Sequence, residues 1–154
     1  MIKGFHHANV VVSNMERTKD FYTRVLGLQV ALETSIEDSE FARGVGFPGT
    51  RLLAAFFAVP GSSTLIEVFQ FLVPPSRQVS ADSKPTDMGV GHICFEVEDI
   101  DRTYRELRDK GVEFASSPVT ISPAHPVAGG IRWCYFYGPD RERLELLQMP
   151  QKES

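Results

Sequence analysis

An excess of positive charge is missing from this sequence, and so is any apolar run long enough to span a membrane. Lysine and arginine number 16 against 20 aspartate and glutamate residues, for a net charge of -4. A polyanion such as nucleic acid is therefore not an expected partner. The opening residues, MIKGFHHANVVV, lack the charged start, apolar core and cleavage site of a signal peptide. The sequence predicts a cytoplasmic protein with neither a nucleic-acid nor a membrane partner.

Cysteine is scarce as well. The chain has 2 cysteines, Cys94 and Cys134, and both fall in apolar, strand-like runs without the paired spacing of a zinc site. We expect buried free thiols rather than metal ligands or a disulfide.

The two halves of the chain resemble each other. Gly4–Thr18 (GFHHANVVVSNMERT) aligns with Gly89–Thr103 (GVGHICFEVEDIDRT), which superposes His7 on His92. Towards the ends, LIEVFQ resembles RLELLQ, which superposes Glu67 on Glu145. The sequence predicts one domain over 1–154, with module 1 at 3–73, a linker at 74–87 and module 2 at 88–150.

Periodicity predicts the order β-α-β-β-β in each module, and hence an α+β fold. Asn14 and Asp99 are expected to cap the two helices, which Gly27 and Gly111 end. The expected elements are strands at 5–12, 28–34, 51–59, 64–71, 90–97, 112–114, 131–137 and 143–148, and helices at 15–26 and 100–110. Ser35–Thr50 and Ala115–Gly130 are expected to be irregular loops that line or cover a pocket.

Two histidines and two glutamates recur at matching places in this pattern. Strand alternation puts His7 and His92 on the faces opposite the apolar residues that pack under each helix. Glu67 interrupts an apolar run, and an ionised carboxylate there needs a partner because its burial is otherwise very costly. Imidazole and carboxylate ligands without thiolates suit one divalent ion, which could be Ni, Co, Zn, Mn or Fe(II).

Three segments carry a resemblance to a known family: His7–Val30, Gly91–Asp101 and Tyr135–Gln148. Together and in this order they resemble the vicinal oxygen chelate superfamily, which includes glyoxalase I, methylmalonyl-CoA epimerase, extradiol dioxygenases and the fosfomycin and bleomycin resistance proteins. The resemblance implies tandem βαβββ modules that form a cupped mixed sheet around a central site. It also implies a homodimer, and a metal bound by His7, Glu67, His92 and Glu145.

The chemistry implied is metal-assisted proton transfer next to a carbonyl of a small chelating substrate, with an enediolate stabilised by the ion. By resemblance Glu145 is the base and Glu67 its counterpart, as in a glyoxalase-type lyase or an epimerase acting on a hemithioacetal, an acyl-CoA or a related compound. Glyoxalase I has an arginine four residues after its first ligand, where this chain has Val11, and this departure lowers the expectation of a glutathione substrate.

Four further residues are candidates for substrate contact. Asn9 and Glu96 share faces with the expected ligands, His125 lies in a proline- and glycine-rich loop, and Arg132 begins a late strand.

Two other functions fit the same residues. An Fe(II) extradiol dioxygenase would use His7, His92 and Glu145 as a facial triad, although Glu67 would then occupy a position that oxygen chemistry needs free. The other alternative is a binding or resistance protein that holds a small molecule without turning it over.

Overall fold

The structure is a computed structural model that describes residues 1–78 and 83–151. The chain divides into two compact units, Met1–Ala81 and Asp82–Ser154, and each contains a four-stranded mixed sheet. The predicted α+β fold of two tandem modules is therefore confirmed. The predicted linker, 74–87, spans the boundary between the units, and its residues 79–82 lie outside the described residues. That the units form one domain stays a prediction.

The elements of the first unit are β1 (His7–Val11), α1 (Met15–Asp20), β2 (Gln29–Ile36), α2 (Ser39–Val45), β3 (Arg51–Ala58) and β4 (Leu65–Val73). Its sheet has strand order β1-β4-β3-β2, with β1 parallel to β4 and the other pairs antiparallel. A single π-helical turn, Phe21–Val25, continues α1 before the chain turns at Gly27, whose φ is 78°.

The elements of the second unit are β5 (Ile93–Glu96), α3 (Ile100–Asp109), β6 (Val119–Thr120), β7 (Arg132–Tyr137) and β8 (Arg143–Gln148). This unit repeats the topology of the first, with strand order β5-β8-β7-β6 and a parallel β5–β8 pair. The expected strand at 112–114 is wrong, because Phe114 makes a single bridge to Phe136 and the partner of β7 comes later in the chain, at β6.

One face of each sheet packs against the helix of its own unit, and we call it the helix face. Tyr22 of the π turn contacts Phe57 of β3 with ring centroids 5.1 Å apart, and both are fully buried. Leu144 and Leu146 of β8 are buried in the same way in the second unit. Alternation then sends Glu67 and Glu145 to the opposite face of their sheets, the glutamate face.

The glutamine that follows each glutamate by three residues lies on the helix face and caps a helix. The backbone N–H of Met15 donates to Oε1 of Gln70 at 2.6 Å, and that of Ile100 donates to Oε1 of Gln148 at 2.9 Å. The predicted caps Asn14 and Asp99 are confirmed, since each side chain accepts from the backbone N–H three residues on. The repeated Glu-x-x-Gln pattern thus ties each last strand to its helix.

The prediction that Ser35–Thr50 is an irregular loop is wrong in part. Strand β2 continues to Ile36, and α2 follows with Asp38 as its N-cap and Gly46, at φ 78°, as its C-cap. None of the helices within residues 1–78 and 83–151 is long and apolar enough to cross a membrane.

We expect Gln70→Ala and Gln148→Ala each to lower the free energy of unfolding by about 1–3 kcal/mol, because each leaves a partly buried backbone N–H without its acceptor. Chemical denaturation measures this change. Gln29→Ala, at an exposed position of β2, is the matched control and should leave stability unchanged. Equal stability of all three variants would contradict the capping role.

Candidate functional site

The parallel pairing of β1 with β4 brings His7 and Glu67 together on the glutamate face of the first unit. Nε2 of His7 lies 3.3 Å from Oε2 of Glu67, whose side chain is only 12% exposed. Asn9 is aligned with Glu67 across the two strands, and its Nδ2 donates to the same carboxylate oxygen at 3.0 Å. Glu67 is therefore held by two neighbours from one strand.

The β5–β8 pairing repeats this arrangement in the second unit. His92 directly precedes β5, and its Nε2 lies 2.7 Å from Oε2 of Glu145, whose side chain is 10% exposed. Burial raises the pKa of Glu145 above the ordinary 4.5, although the neighbouring His92 opposes this change. Both predicted histidine–glutamate pairs are thus formed.

An aromatic residue completes each pair. Phe56 of β3 lies directly opposite Glu67 and meets the ring of His7 edge-on, with centroids 5.8 Å apart. Tyr135 of β7 lies opposite Glu145 and its ring is 5.2 Å from that of His92. Each histidine is therefore braced by an aromatic ring from the strand on the far side of its glutamate.

The two pairs differ in what supports the glutamate. Cys94 is aligned with Glu145 across β5 and β8, just as Asn9 is aligned with Glu67 across β1 and β4. Partial burial of the thiol, with the charges of Glu145 and Glu96, raises the pKa of Cys94 to about 11, so the sulfur is a neutral thiol near pH 7. Among the described residues, a side-chain amide donates to the glutamate of the first unit but not to that of the second.

The two cysteines are free, as predicted, and Cys134 is buried. The expectation that Cys94 is buried is wrong, because it lies exposed on the glutamate face of β5. Strand alternation could have identified this, since Cys94 has the same parity as His92.

The other predicted contact residues are dispersed. Glu96 is exposed on the glutamate face of β5. Nδ1 of His125 accepts from the backbone N–H groups of Val127 and Ala128 within its own loop, at 3.3 and 3.0 Å. Arg132 lies on the helix face, where it forms a two-bond ion pair with Asp101 of α3 at 2.6 and 2.9 Å. The structure does not bring Arg132 to the face that carries Glu145.

The glutamate faces carry further residues that were not among the site candidates predicted from the sequence. In the first unit α2 contributes Phe41, whose ring meets Phe69, and Phe69 in turn meets Phe71, with centroids 6.0 Å apart in both contacts. In the second unit Arg143 stands two residues before Glu145. Both Phe69 and Arg143 share the parity of their glutamate, and this was the available signal.

The spacing of each pair is close to that of two ligands on one ion. Ligand atoms that are each about 2.1 Å from a metal lie about 3.0–3.4 Å apart at angles of about 90–109°. The 3.3 Å of the first pair falls in this range, and the 2.7 Å of the second requires a few tenths of an ångström of opening. Within the described ranges no three His, Cys, Asp or Glu side chains form a group that could hold a metal, so each unit offers two ligands.

Comparison with known proteins gives consistent matches. The model of the Glyoxalase/Bleomycin resistance protein/Dioxygenase superfamily matches residues 4–146. The uncharacterized protein YwkD of Bacillus subtilis is 31% identical over 149 residues, covering 96% of this chain and 98% of that protein. A 2-epi-5-epi-valiolone epimerase of an Actinomyces species is 29% identical over 149 residues, covering 94% of this chain and 79% of the enzyme.

A solved structure extends the match to the fold. The crystal structure of a glyoxalase family protein from Bacillus cereus aligns with a TM-score of 0.84 at 21% identity, covering 98% of this chain and 97% of that one. At this identity the likeness concerns the fold alone.

The raised pKa of Glu145 predicts how the metal-free protein responds to pH. The carboxyl group of Glu145 binds its proton more tightly in the folded chain than in the unfolded chain. Its contribution to the free energy of unfolding is therefore present below pH 4.5 and is lost as the pH rises through the pKa of the folded state. Glu145→Gln removes the buried charge, so at pH 8 the metal-free variant should melt at a higher temperature than the wild type, and the difference should vanish towards pH 4. Glu96→Gln, exposed on the same face, is the control. A less stable Glu145→Gln variant at pH 8 would refute the assignment.

Proposed function

Because the chain belongs to the Glyoxalase/Bleomycin resistance protein/Dioxygenase superfamily, we propose that it is a divalent-metal-dependent lyase or isomerase of the glyoxalase type. It moves a proton next to a carbonyl of a small substrate that chelates the metal through two oxygens, such as a hemithioacetal, an acyl-CoA or a related compound. The observation that carries the proposal is the repeated histidine–glutamate pair on the glutamate face of each unit.

The proposed ligands are His7, Glu67, His92 and Glu145, and they bind one ion. Ligand chemistry supports this set, since two imidazoles and two carboxylates without thiolate suit Ni, Co, Zn, Mn or Fe(II). Burial supports it too, because both carboxylates are about nine-tenths covered and a cation is the partner that best offsets their desolvation.

The bound ion would act as a Lewis acid that polarises the substrate carbonyl and stabilises negative charge on its oxygen. Glu145 then takes the proton from the carbon next to that carbonyl, and Glu67 serves as its counterpart. Two carboxylates on opposite sides of one carbon permit either isomerisation or epimerisation, depending on which of them returns the proton.

The hydrogen bond from Asn9 supports a division of labour between the glutamates. Asn9 holds one oxygen of Glu67 at 3.0 Å, so that carboxylate loses a hydrogen bond if it moves. Glu145 contacts His92 at 2.7 Å, and its strand neighbour Cys94 offers only a weak thiol donor. Glu145 therefore loses less hydrogen bonding than Glu67 when it moves to carry a proton.

The epimerase relative supports proton transfer as the reaction class, whereas Val11 in place of the arginine of glyoxalase I argues against glutathione as the substrate. The family resemblance supports a homodimer. A cytoplasmic location stays a prediction from the sequence.

Elemental analysis of protein purified without chelators tests the metal. We expect one divalent ion per chain, reduced severalfold by His7→Ala or His92→Ala, while Glu96→Gln keeps the wild-type content. Absence of stoichiometric metal would contradict the enzyme proposal and favour a binding protein.

Turnover tests the glutamates. In a screen of hemithioacetals, acyl-CoA esters and catechols, followed by incorporation of solvent deuterium, Glu145→Gln should lose about a hundredfold or more in turnover while remaining folded. Glu67→Gln should also lose turnover. Full activity in either variant would refute its role, and iron with oxygen uptake on catechols would favour the dioxygenase instead.

Asn9→Ala should weaken metal binding by about tenfold, because loss of a side chain that orients a metal ligand typically costs 10–100-fold in affinity, roughly. Cys94→Ala, at the equivalent place in the other unit, is the matched control and should change metal affinity little. Competition with a chromogenic chelator measures both. Equal effects of the two substitutions would show that Asn9 does not hold Glu67.

A further inference from the structure

Arg143 is a cation on the glutamate face of the second unit. It precedes Glu145 by two residues on β8, so both side chains point to the same side of the sheet, whereas Leu144 between them is fully buried on the helix face. At about 3.3 Å per residue the two Cα atoms are about 7 Å apart. A small substrate bound at Glu145, the proposed base, is therefore long enough to reach Arg143.

The hydrogen-bonding capacity of Arg143 is largely unused. Its Nη2 lies 3.4 Å from the backbone oxygen of Ser83, at the long limit of a hydrogen bond, and its buried Nε has no hydrogen-bond partner in the part of the chain that the structure describes. Among residues 1–78 and 83–151 no carboxylate lies within ion-pair distance of it. Arg132, in the same sheet, instead has both arms of its guanidinium on Asp101.

A buried N–H without an acceptor is uncommon in native proteins, and an unoccupied place for a ligand is one physical reason for it. A guanidinium presents its donors as a planar fork that matches the oxygens of a carboxylate or phosphate. An anion at Arg143 would therefore satisfy Nε and balance the charge together.

Contacts connect Arg143 to the second histidine–glutamate pair. Its guanidinium carbon is 5.8 Å from the ring centroid of Tyr135, and that ring is 5.2 Å from the imidazole of His92. The equivalent position in the first unit, two residues before Glu67, is Leu65. The cation is therefore not part of the repeated scaffold and distinguishes one unit from the other.

We propose that Arg143 forms an anion subsite beside Glu145, so that the substrate carries a carboxylate or phosphate group in addition to the oxygens that chelate the metal. The assignment of this anion to the substrate rests on the proposed function. The subsite itself rests on the geometry of Arg143 and Tyr135.

Anion titration of the metal-free protein tests the subsite without any contribution from a metal. Inorganic phosphate and acetate serve as separate probes, followed by the Nε–H resonance of Arg143 in nitrogen-15 NMR spectra. The indole N–H of Trp133, the one tryptophan of the chain, is a second reporter because its ring is 5.0 Å from that of Tyr135. We expect saturable shifts of both signals with at least one probe, and the stronger probe identifies the anion.

Arg143→Gln should weaken the anion response at Trp133 by about tenfold or more, since it removes a charge-assisted donor pair. Arg143→Lys keeps the charge without the fork and should bind with intermediate affinity. Arg102→Gln removes an equal charge from α3, where Arg102 pairs with Glu106, and should leave the titration unchanged.

Absence of a saturable shift in the wild type, or equal anion affinity in wild type and Arg143→Gln, would overturn the proposal. The wild-type Nε–H signal decides the question even if a variant fails to fold. Because the titration uses metal-free protein, a chain without stoichiometric metal that still binds anions would refute the proposed function and leave the subsite standing. A metal-loaded, active enzyme whose metal-free form shows no saturable anion shift would support the proposed function and overturn the subsite.

Discussion

The parallel pairing of the first and last strands of each unit is the constraint on which the rest depends. Backbone hydrogen bonds of 2.8 Å extend this pairing to the residue after the first strand of each unit. The N–H of Val12 donates to the carbonyl oxygen of Phe69, and that of Val97 donates to the carbonyl oxygen of Leu147. The pairing sets a histidine beside a glutamate on one face. A one-residue slip would send each glutamate into the helix face, where an unpaired carboxylate is costly.

The same strands show why a buried acid is compatible with a stable fold. Gln70 and Gln148 lie on the helix face, where they cap α1 and α3. Glu67 and Glu145 lie on the opposite face, each in contact with a histidine. Each last strand therefore stabilises its helix on one side and holds a histidine–glutamate pair on the other. The first unit adds the amide of Asn9, and the second adds the cation of Arg143, so one repeated frame carries two different environments.

Much of this arrangement could be predicted from the sequence, because repeats and alternation are local patterns. They placed His7 and His92 opposite the helices, and the repeat matched Glu67 to Glu145. Alternation alone did not decide which face Glu67 occupies, since that depends on pairing with a distant strand. Helix α2 was not predicted because it has 7 residues, contains Gly44 and is held by the contact of Phe41 with Phe69. The lack of a carboxylate partner for Arg143 among the described residues likewise depends on tertiary neighbours, whereas the exposure of Cys94 follows from the parity it shares with His92.

We propose that the two histidine–glutamate pairs bind one divalent ion. X-ray absorption spectroscopy of the metal-loaded protein at the edge of the bound ion tests it most directly, with a crystal structure using anomalous scattering to identify the ligands. We expect two imidazole nitrogens, from His7 and His92, and carboxylate oxygens from Glu67 and Glu145. An ion bound elsewhere, or one bound by a single pair, would contradict it.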